Sequence, residues 1–303
     1  MGEVTSIEQR IIEAGIRWPH LEFKRKTHQE ASAPCPFCFL ANRDGFLIFA
    51  NGGYWCRKCN TAGWINENDP HPPTQQELLE VRIRELERQT KEHETRLAAL
   101  EEMARCTDHI AYHDALTDQY REYWFGEGIF DGAIEKFLLG FCSQCPTYPL
   151  SPSYTIPIIN EGKLENIRHR LVAPDGAGKY RPHRAGLGAS LFNADSLETK
   201  PSSVIVCEGE KKTIVLDQAG FDAVGICGQR TFKRQWLAQF TGISTVYVTL
   251  DPDAMESAHK LAMMFGSRGR VVQTPMKIDD AITRYGASSE DVEAWLRAAR
   301  PVQ

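Results

Sequence analysis

Three short apolar runs, each closed by acidic residues, constrain this chain more than any other feature. Val204-Ile205-Val206-Cys207 runs into Glu208-Gly209-Glu210. Val246-Tyr247-Val248-Thr249-Leu250 runs into Asp251-Pro252-Asp253, and Val271-Val272 precedes Lys277-Ile278-Asp279-Asp280. Runs this short, rich in β-branched residues and bounded by turn signals, read as buried strands. Helical patterns over 213–219 and 254–265 alternate with them, which predicts a mainly parallel sheet. In such sheets ligands bind beyond the carboxyl ends of the strands. Glu208, Asp251, Asp253 and Asp279 would therefore gather along one edge.

Carboxylates at close quarters raise one another's pKa unless a cation is present. Mg²⁺ takes one or two carboxylates plus substrate phosphates. The four acids are thus candidate Mg²⁺ or Mn²⁺ ligands for phosphoryl or nucleotidyl chemistry. Asp is also common in ordinary turns after strands, but three such endings in order favour a site. Asp280 stands as an alternative to Asp279, because neighbours at a strand end point to opposite faces. Glu-Gly after a strand, Asp-x-Asp after a later one and a final acidic pair together resemble the TOPRIM module. That module is shared by DnaG-type primases, topoisomerases, some nucleases and recombination mediators.

The cysteines give a second constraint. Cys35-Pro36-Phe37-Cys38 and Cys56-Arg57-Lys58-Cys59 are two Cys-x-x-Cys knuckles, a spacing that suits tetrahedral Zn²⁺ held by four thiolates. A site with four protein ligands is closed, so its role is structural. Runs at 45–49 and 53–55 predict a hairpin between the knuckles, turning at Asn51-Gly52. No apolar run approaches the roughly 20 residues needed to span a membrane. The N-terminal residues lack a signal pattern. A cytoplasmic protein is expected, in which the 9 cysteines favour metal over disulfides. Pro34 to Cys38, Phe46 to Phe49, and Tyr54-Trp55-Cys56-Arg57-Lys58-Cys59 followed by Ala62-Gly63-Trp64-Ile65 resemble the N-terminal zinc ribbon of DnaG-type and phage primases. In that family the ribbon helps to recognise the template. Arg43, Tyr54, Trp55, Arg57 and Lys58 are of types suited to phosphate contact and base stacking.

Elsewhere the patterns are weaker. A short helix is predicted at 6–15. Prolines at 70, 72 and 73 precede a charged helix over 75–104, whose Leu79, Ile83, Leu86, Leu97 and Leu100 form an interrupted heptad-like stripe. It reads as a spacer, or more sharply as a dimerising helix. Cys106, His109, His113, Cys142 and Cys145 form a candidate second zinc set whose pairing nothing fixes. Residues 120–140 are aromatic-rich and helical. Strands are predicted at 154–159 and 164–171. The net charge is −5, so nucleic-acid binding must come from local patches. The densest basic run is Arg168, His169, Arg170, Lys179, Arg181, His183 and Arg184, a candidate surface for triphosphate or template backbone. Gly176-Ala177-Gly178-Lys179 lacks the spacing of a P-loop.

The order of zinc ribbon, basic core and TOPRIM resembles a DnaG-type or phage-type DNA primase. The resemblance implies an α+β and α/β chain. Its parts are a small β zinc ribbon (1–68), a helical linker (69–118), a basic subdomain (119–200) and a TOPRIM subdomain with a Rossmann-like sheet (201–303). It implies short RNA primers made de novo on single-stranded DNA from nucleoside triphosphates. Structural Zn²⁺ would sit on Cys35, Cys38, Cys56 and Cys59. Glu208 takes the family's general-base or metal-binding position, and Asp251, Asp253 and Asp279 or Asp280 take its metal-binding positions. Arg170 and Lys179 join the candidate catalytic set, with Lys179, Arg181, Arg184 and Lys212 on phosphates or template. One departure stands out. Many primases carry an acid four residues after the glutamate, where this chain has Lys212. No Walker A motif is found, so a separate replicative helicase is the expected partner, in phage or prophage replication, although the family's C-terminal helicase-docking domain is not seen after the last motif. A TOPRIM nuclease and a non-catalytic zinc-plus-TOPRIM recombination mediator are the alternatives.

Overall fold

The computed structural model describes residues 25–26, 30–35, 45–49, 53–64, 75–144, 151–174, 178–229 and 231–302. The helix expected at 6–15, Cys38, Arg43, the Asn51-Gly52 turn, Cys145 and Gly176 lie outside them. The chain divides into two compact units, Met1–Thr95 and Arg96–Gln303.

The first unit holds a five-stranded antiparallel sheet. Its strands are β1 (Arg25–Lys26), β2 (Glu30–Ala33), β3 (Phe46–Phe49), β4 (Gly53–Cys56) and β5 (Ala62–Trp64), in sequential order. Phe46, Leu47 and Ile48 are buried. Ala33 pairs with Phe46, and Phe46 with Cys56. That register brings Cys35, two residues past Ala33, to the same end of the sheet as Cys56. Tyr54 packs on Phe46, with ring centroids 5.6 Å apart. Its ring also lies so close to Gly63 that a Cβ there would meet the Tyr54 hydroxyl at 2.4 Å.

Helix α1 (Gln75–Arg105) follows. Pairs one turn apart, such as Arg88 with Glu85 at 2.7 Å and with Glu92, support its exposed surface. Leu79, Ile83, Leu86 and Leu97 of the heptad-like stripe are exposed. Near its end Leu100 and Met103 pack with Leu164, Ile167 and Leu187.

The second unit contains two sheets. Helices α2 (Asp108–Asp114), α3 (Asp118–Gly126) and α4 (Asp131–Lys136) lead into an antiparallel sheet. Its strands run β6 (Gly140–Cys142), β7 (Ser153–Asn160), β8 (Lys163–Leu171), β9 (Tyr180–Pro182). The β7–β8 hairpin turns through Glu161 and Gly162, both at positive φ, 51° and 69°. This is the backbone a two-residue hairpin needs, and Gly162 supplies it without strain. Trp124, Ile129, Ile134 and Leu139 pack on Phe141, Ile156 and Ile158. Burying an isoleucine such as Ile134 or Ile156 contributes about 1.5–3 kcal/mol.

The other sheet has the order β11 (Ala223–Ile226), β10 (Ser203–Glu208), β12 (Thr245–Thr249), β13 (Gly269–Val271), β14 (Arg300–Pro301). Its first four strands are parallel and β14 is antiparallel. Val204 and Val206 face one layer, with Trp236, Phe240 and Phe265. Ile205 and Cys207 face the other, with Leu216, Ile278 and Val292. A sheet covered on both faces explains why these strands read as continuous apolar runs. Helices α5 (Glu210–Gln218), α6 (Met255–Met263), α7 (Ile278–Thr283) and α8 (Ser289–Ala298) connect or cover the strands. A capping box between Ser288 and Asp291 opens α8. The last acidic run differs from expectation. The strand ends at Val271, and Asp279 and Asp280 open α7 instead. Among the described residues no helix is long and apolar enough to cross a membrane.

Candidate active site

Strand β10 ends at Glu208, and Gly209 turns the chain straight into α5. Its φ of +93° suits glycine, although a Cβ there would meet nothing within 4 Å. Asp251 follows β12 by two residues, and Asp253 is exposed one residue further beyond Pro252. The first turn of α7 brings in Asp279, which is buried, whereas Asp280 is half-buried and turns to Arg284 at 3.2 Å.

Lysines already stand among these acids. Lys212 Nζ lies 2.9 Å from Asp251 Oδ1 and donates to the Glu208 carbonyl at 3.1 Å. Lys277 Nζ lies 2.9 Å from Asp251 Oδ2. Lys211 bridges Asp279, at 3.2 Å, and Glu127. Lys212, suggested by the sequence for phosphate, is thus a counter-ion of Asp251. Glu127, Glu210, Lys211 and Lys277 are neighbours that the sequence reading gave no role. Lys211 and Lys277 lie beside the acidic motifs in sequence. Glu127 is far from them and no periodicity points to it.

The carboxyl groups differ in charge state. Burial pushes Glu208 above the usual carboxylate range, and the nearby Asp251 adds to this. Burial also works against ionised Asp251, but contacts from Lys212 and Lys277 outweigh it and hold Asp251 below its ordinary value. Glu208 Oε2 and Asp279 Oδ1 are buried with no hydrogen-bond partner. Unpartnered anionic oxygens suit a hard divalent cation. Yet among the described residues no three of these acids place oxygens within 4.8 Å of one another. The fit is to an ion held by one or two carboxylates, with the remaining positions left for substrate oxygens.

The antiparallel sheet supplies the basic side of this edge. Arg168 reaches buried Glu210 at 3.2 Å and lies over the Tyr180 ring. Arg170 lies 4.8 Å over the Tyr123 ring and 3.9 Å from Glu127. Lys179 is exposed. Arg181 is buried and donates to the Gly178 and Tyr180 carbonyls. Arg184 pairs with Glu102.

In the first unit Cys35, Cys56 and Cys59 place their sulfurs within 4.8 Å of one another, with Cys35 and Cys59 3.8 Å apart. Zn–S bonds of 2.3 Å at the tetrahedral angle put two sulfurs about 3.8 Å apart, so the cluster fits zinc. The Lys58 amide donates to Cys56 Sγ at 3.4 Å. Burial pushes the Cys59 thiol up, but contacts with Thr61, Cys56 and Cys35 bring it below its ordinary value. Trp55, Arg57 and Lys58 are exposed, Trp55 donating to Asn60 at 3.1 Å. Among the described residues of the candidate second zinc set, His113 and Cys142 do not join Cys106 in a donor cluster. His113 meets the Leu139 carbonyl and Glu135 instead, and Cys142 is buried in β6.

No protein-family model and no curated protein matches the chain. Solved structures do. The primase of Aquifex aeolicus, in its zinc-binding and RNA polymerase domains, is 17% identical with a TM-score of 0.52, over 96% of this chain and 83% of that one. A DnaG primase catalytic domain bound to single-stranded DNA is 18% identical with a TM-score of 0.54, over 70% of this chain and 81% of that one. The RNA polymerase domain of Mycobacterium tuberculosis DnaG, in complex with a double-stranded DNA oligomer carrying a 6-nucleotide overhang, is 18% identical. Its TM-score is 0.53, over 69% of this chain and 81% of that one. The chain has the fold of a DnaG-type primase.

Proposed function

We propose that the protein is a DNA-dependent primase, making short RNA primers de novo on single-stranded DNA by metal-dependent nucleotidyl transfer. The observation that carries this reading is the carboxylate row at the carboxyl edge of a parallel sheet, opposite an arginine-bearing sheet, within a DnaG-type fold. One or two of Glu208, Asp251, Asp253 and Asp279 would hold Mg²⁺ or Mn²⁺ at a time, with substrate oxygens completing its shell. The ion, when bound, supplies charge neutralisation for the triphosphate and the departing pyrophosphate.

The chain's own residues would do the rest. Lys212 and Lys277 keep Asp251 ionised. Burial and Asp251 disfavour the ionised form of Glu208 in the free site, and a bound cation would favour it. A 3′-hydroxyl would attack the α-phosphorus of the incoming nucleotide, its proton passing to a carboxylate of the row or to water, as the bond to pyrophosphate breaks. Arg170, Lys179 and Arg184 would contact the triphosphate or template backbone. Arg181 would act by holding the β9 backbone. Zinc on the cysteine knuckles would shape the first unit, whose Trp55, Arg57 and Lys58 offer stacking and phosphate contacts to the template. The helicase would be a separate chain.

A de novo synthesis assay tests this. Protein, single-stranded templates of varied sequence, labelled nucleoside triphosphates and Mg²⁺ or Mn²⁺ are incubated, and products are sized. Short template-dependent products that vanish with Asp251→Ala are expected. A template shortened in a metal-dependent way, without new products, would instead identify a nuclease.

A further inference from the structure

A second donor cluster lies in the Arg96–Gln303 unit, away from the carboxylate row. Cys106 Sγ, an Asp108 carboxylate oxygen and a His183 ring nitrogen all lie within 4.8 Å of one another. Cys106 directly follows α1, Asp108 opens α2, and His183 directly follows β9. Cys106 and Asp108 are close in sequence but His183 is far from both, so no spacing motif announces the set.

The geometry points to a zinc site formed by Cys106, Asp108 and His183, with His169 orienting the histidine ligand. Three observations carry it. First, the donor types are thiolate, carboxylate and imidazole, the set that zinc takes. Second, His183 Nε2 lies 3.4 Å from Asp108 Oδ2. Bonds of about 2.0–2.1 Å at the tetrahedral angle put two such ligands about 3.3 Å apart. Third, the other nitrogen of the ring is engaged. His183 Nδ1 lies 3.1 Å from His169 Nε2, and His169 Nδ1 lies 2.8 Å from Ser153 Oγ. With His183 donating through Nδ1 to His169, and His169 donating through Nδ1 to Ser153, the lone pair on His183 Nε2 faces the cysteine and the aspartate. Ligating histidines characteristically have their second nitrogen held in this way.

The surroundings hold the donors in place. His169 is fully buried and stacks on His183, centroids 5.3 Å apart. Tyr112 of α2 packs edge-on against both imidazoles, at 5.8 and 6.2 Å. The Cys106 amide donates to the Met103 carbonyl and the His183 amide to the Ile167 carbonyl, at 3.0 and 2.8 Å. Three protein donors leave one coordination position for water. The ion would clip the end of α1 and the start of α2 to β9, the strand that carries Arg181 and leads to Arg184.

Zinc counting tests the site in the full-length chain. After removal of loosely bound metal, elemental analysis should find two zinc ions per chain. Cys106→Ser and His183→Gln should each hold one, and adding Cys56→Ser to either should remove that one as well. Fewer than two zinc ions in the unsubstituted chain overturns the site, and so does retention of two in Cys106→Ser and His183→Gln. A second readout guards against misfolding of those variants. In the Cys35→Ser/Cys56→Ser/Cys59→Ser chain the Cys106 cluster is intact, and added Co²⁺ should produce a sulfur-to-cobalt charge-transfer band of single-thiolate strength. Absence of that band overturns the proposal.

Discussion

The cysteine knuckles and the carboxylate row both gather anionic donors, yet they gather them differently. Cys35, Cys56 and Cys59 converge on a point, with two sulfurs already at the edge length of a zinc tetrahedron. Glu208, Asp251 and Asp279 share an edge without converging, and lysines stand between them. The β2–β3–β4 register delivers Cys35 and Cys56 and the turn directly after β4 delivers Cys59, so convergence is a by-product of these strands and one turn. The acids come from two strand ends and a helix start, so each is placed by a different loop. The first arrangement suits a resident ion and the second an ion that arrives with its substrate.

The strongest way to break this contrast is to disable the knuckles. Structural zinc binding contributes about 10–16 kcal/mol in small zinc domains. Cys56→Ser should therefore unfold the Met1–Thr95 sheet while the Arg96–Gln303 unit persists. Hydrogen exchange should show Phe46 to Phe49 losing protection. A sheet that stays protected without metal would mean the cysteines are not its staple. At the carboxylate row the largest effect should fall on activity. Asp251→Asn removes the charge that both lysines compensate, and should lower primer synthesis by about 10²–10³-fold, a loss typical of a deleted electrostatic group at a reacting centre. Melting measured in parallel separates this from unfolding.

Sequence legibility followed the same divide. Glu208 and Asp251 could be found because an apolar run and a strand end are both local. The Phe46–Cys56 alignment could be anticipated from the hairpin between the knuckles, whereas the Ala33–Phe46 pairing left no signal in the sequence. Asp279 was legible as an acid but not in its setting. The chain between Val271 and Ile278 contains Pro275 and leaves the sheet, so a helix start rather than a strand end presents it. The pairing of Lys211 with Glu127, and of Cys106 and Asp108 with His183, depends on how the antiparallel sheet meets its neighbours. Such contacts leave no period in the sequence.

The two lysines on Asp251 sharpen the comparison further. Lys212 is 12% exposed and Lys277 is 53% exposed. Lys212→Ala leaves a mostly buried carboxylate short of a partner and should cost about 1–3 kcal/mol. Lys277→Ala removes an exposed partner and should cost about 0–1 kcal/mol. Asp251 is depressed, so its contribution is present above the unfolded Asp pKa and lost as pH falls through the folded value. Lys212→Ala should therefore flatten the acid limb of the stability curve more than Lys277→Ala. Equal effects in urea titrations would mean the two lysines are interchangeable.

The smallest effect should be a gain. Glu208 is raised by burial and by Asp251, so the folded chain binds its proton more tightly than the unfolded chain does. The stability this provides is present below the unfolded Glu pKa and is lost as pH rises through the folded value. At neutral pH the ionised group is then a net cost, which Lys212 and Lys277 relieve only in part. Glu208→Gln should raise the metal-free Tm at neutral pH by no more than roughly 2–4 °C, the equivalent of about 1 kcal/mol in a unit of this size. The difference should close as the pH is lowered. Mn²⁺ should raise the Tm of the unsubstituted chain, because an ion that binds only the folded state stabilises it, and should do less for Glu208→Gln. A variant that melts lower than the unsubstituted chain at neutral pH, and responds to Mn²⁺ equally, would show that the Glu208 carboxylate is satisfied without a cation. The row would then be as self-sufficient as the knuckles, and the contrast between a resident ion and an arriving one would fail.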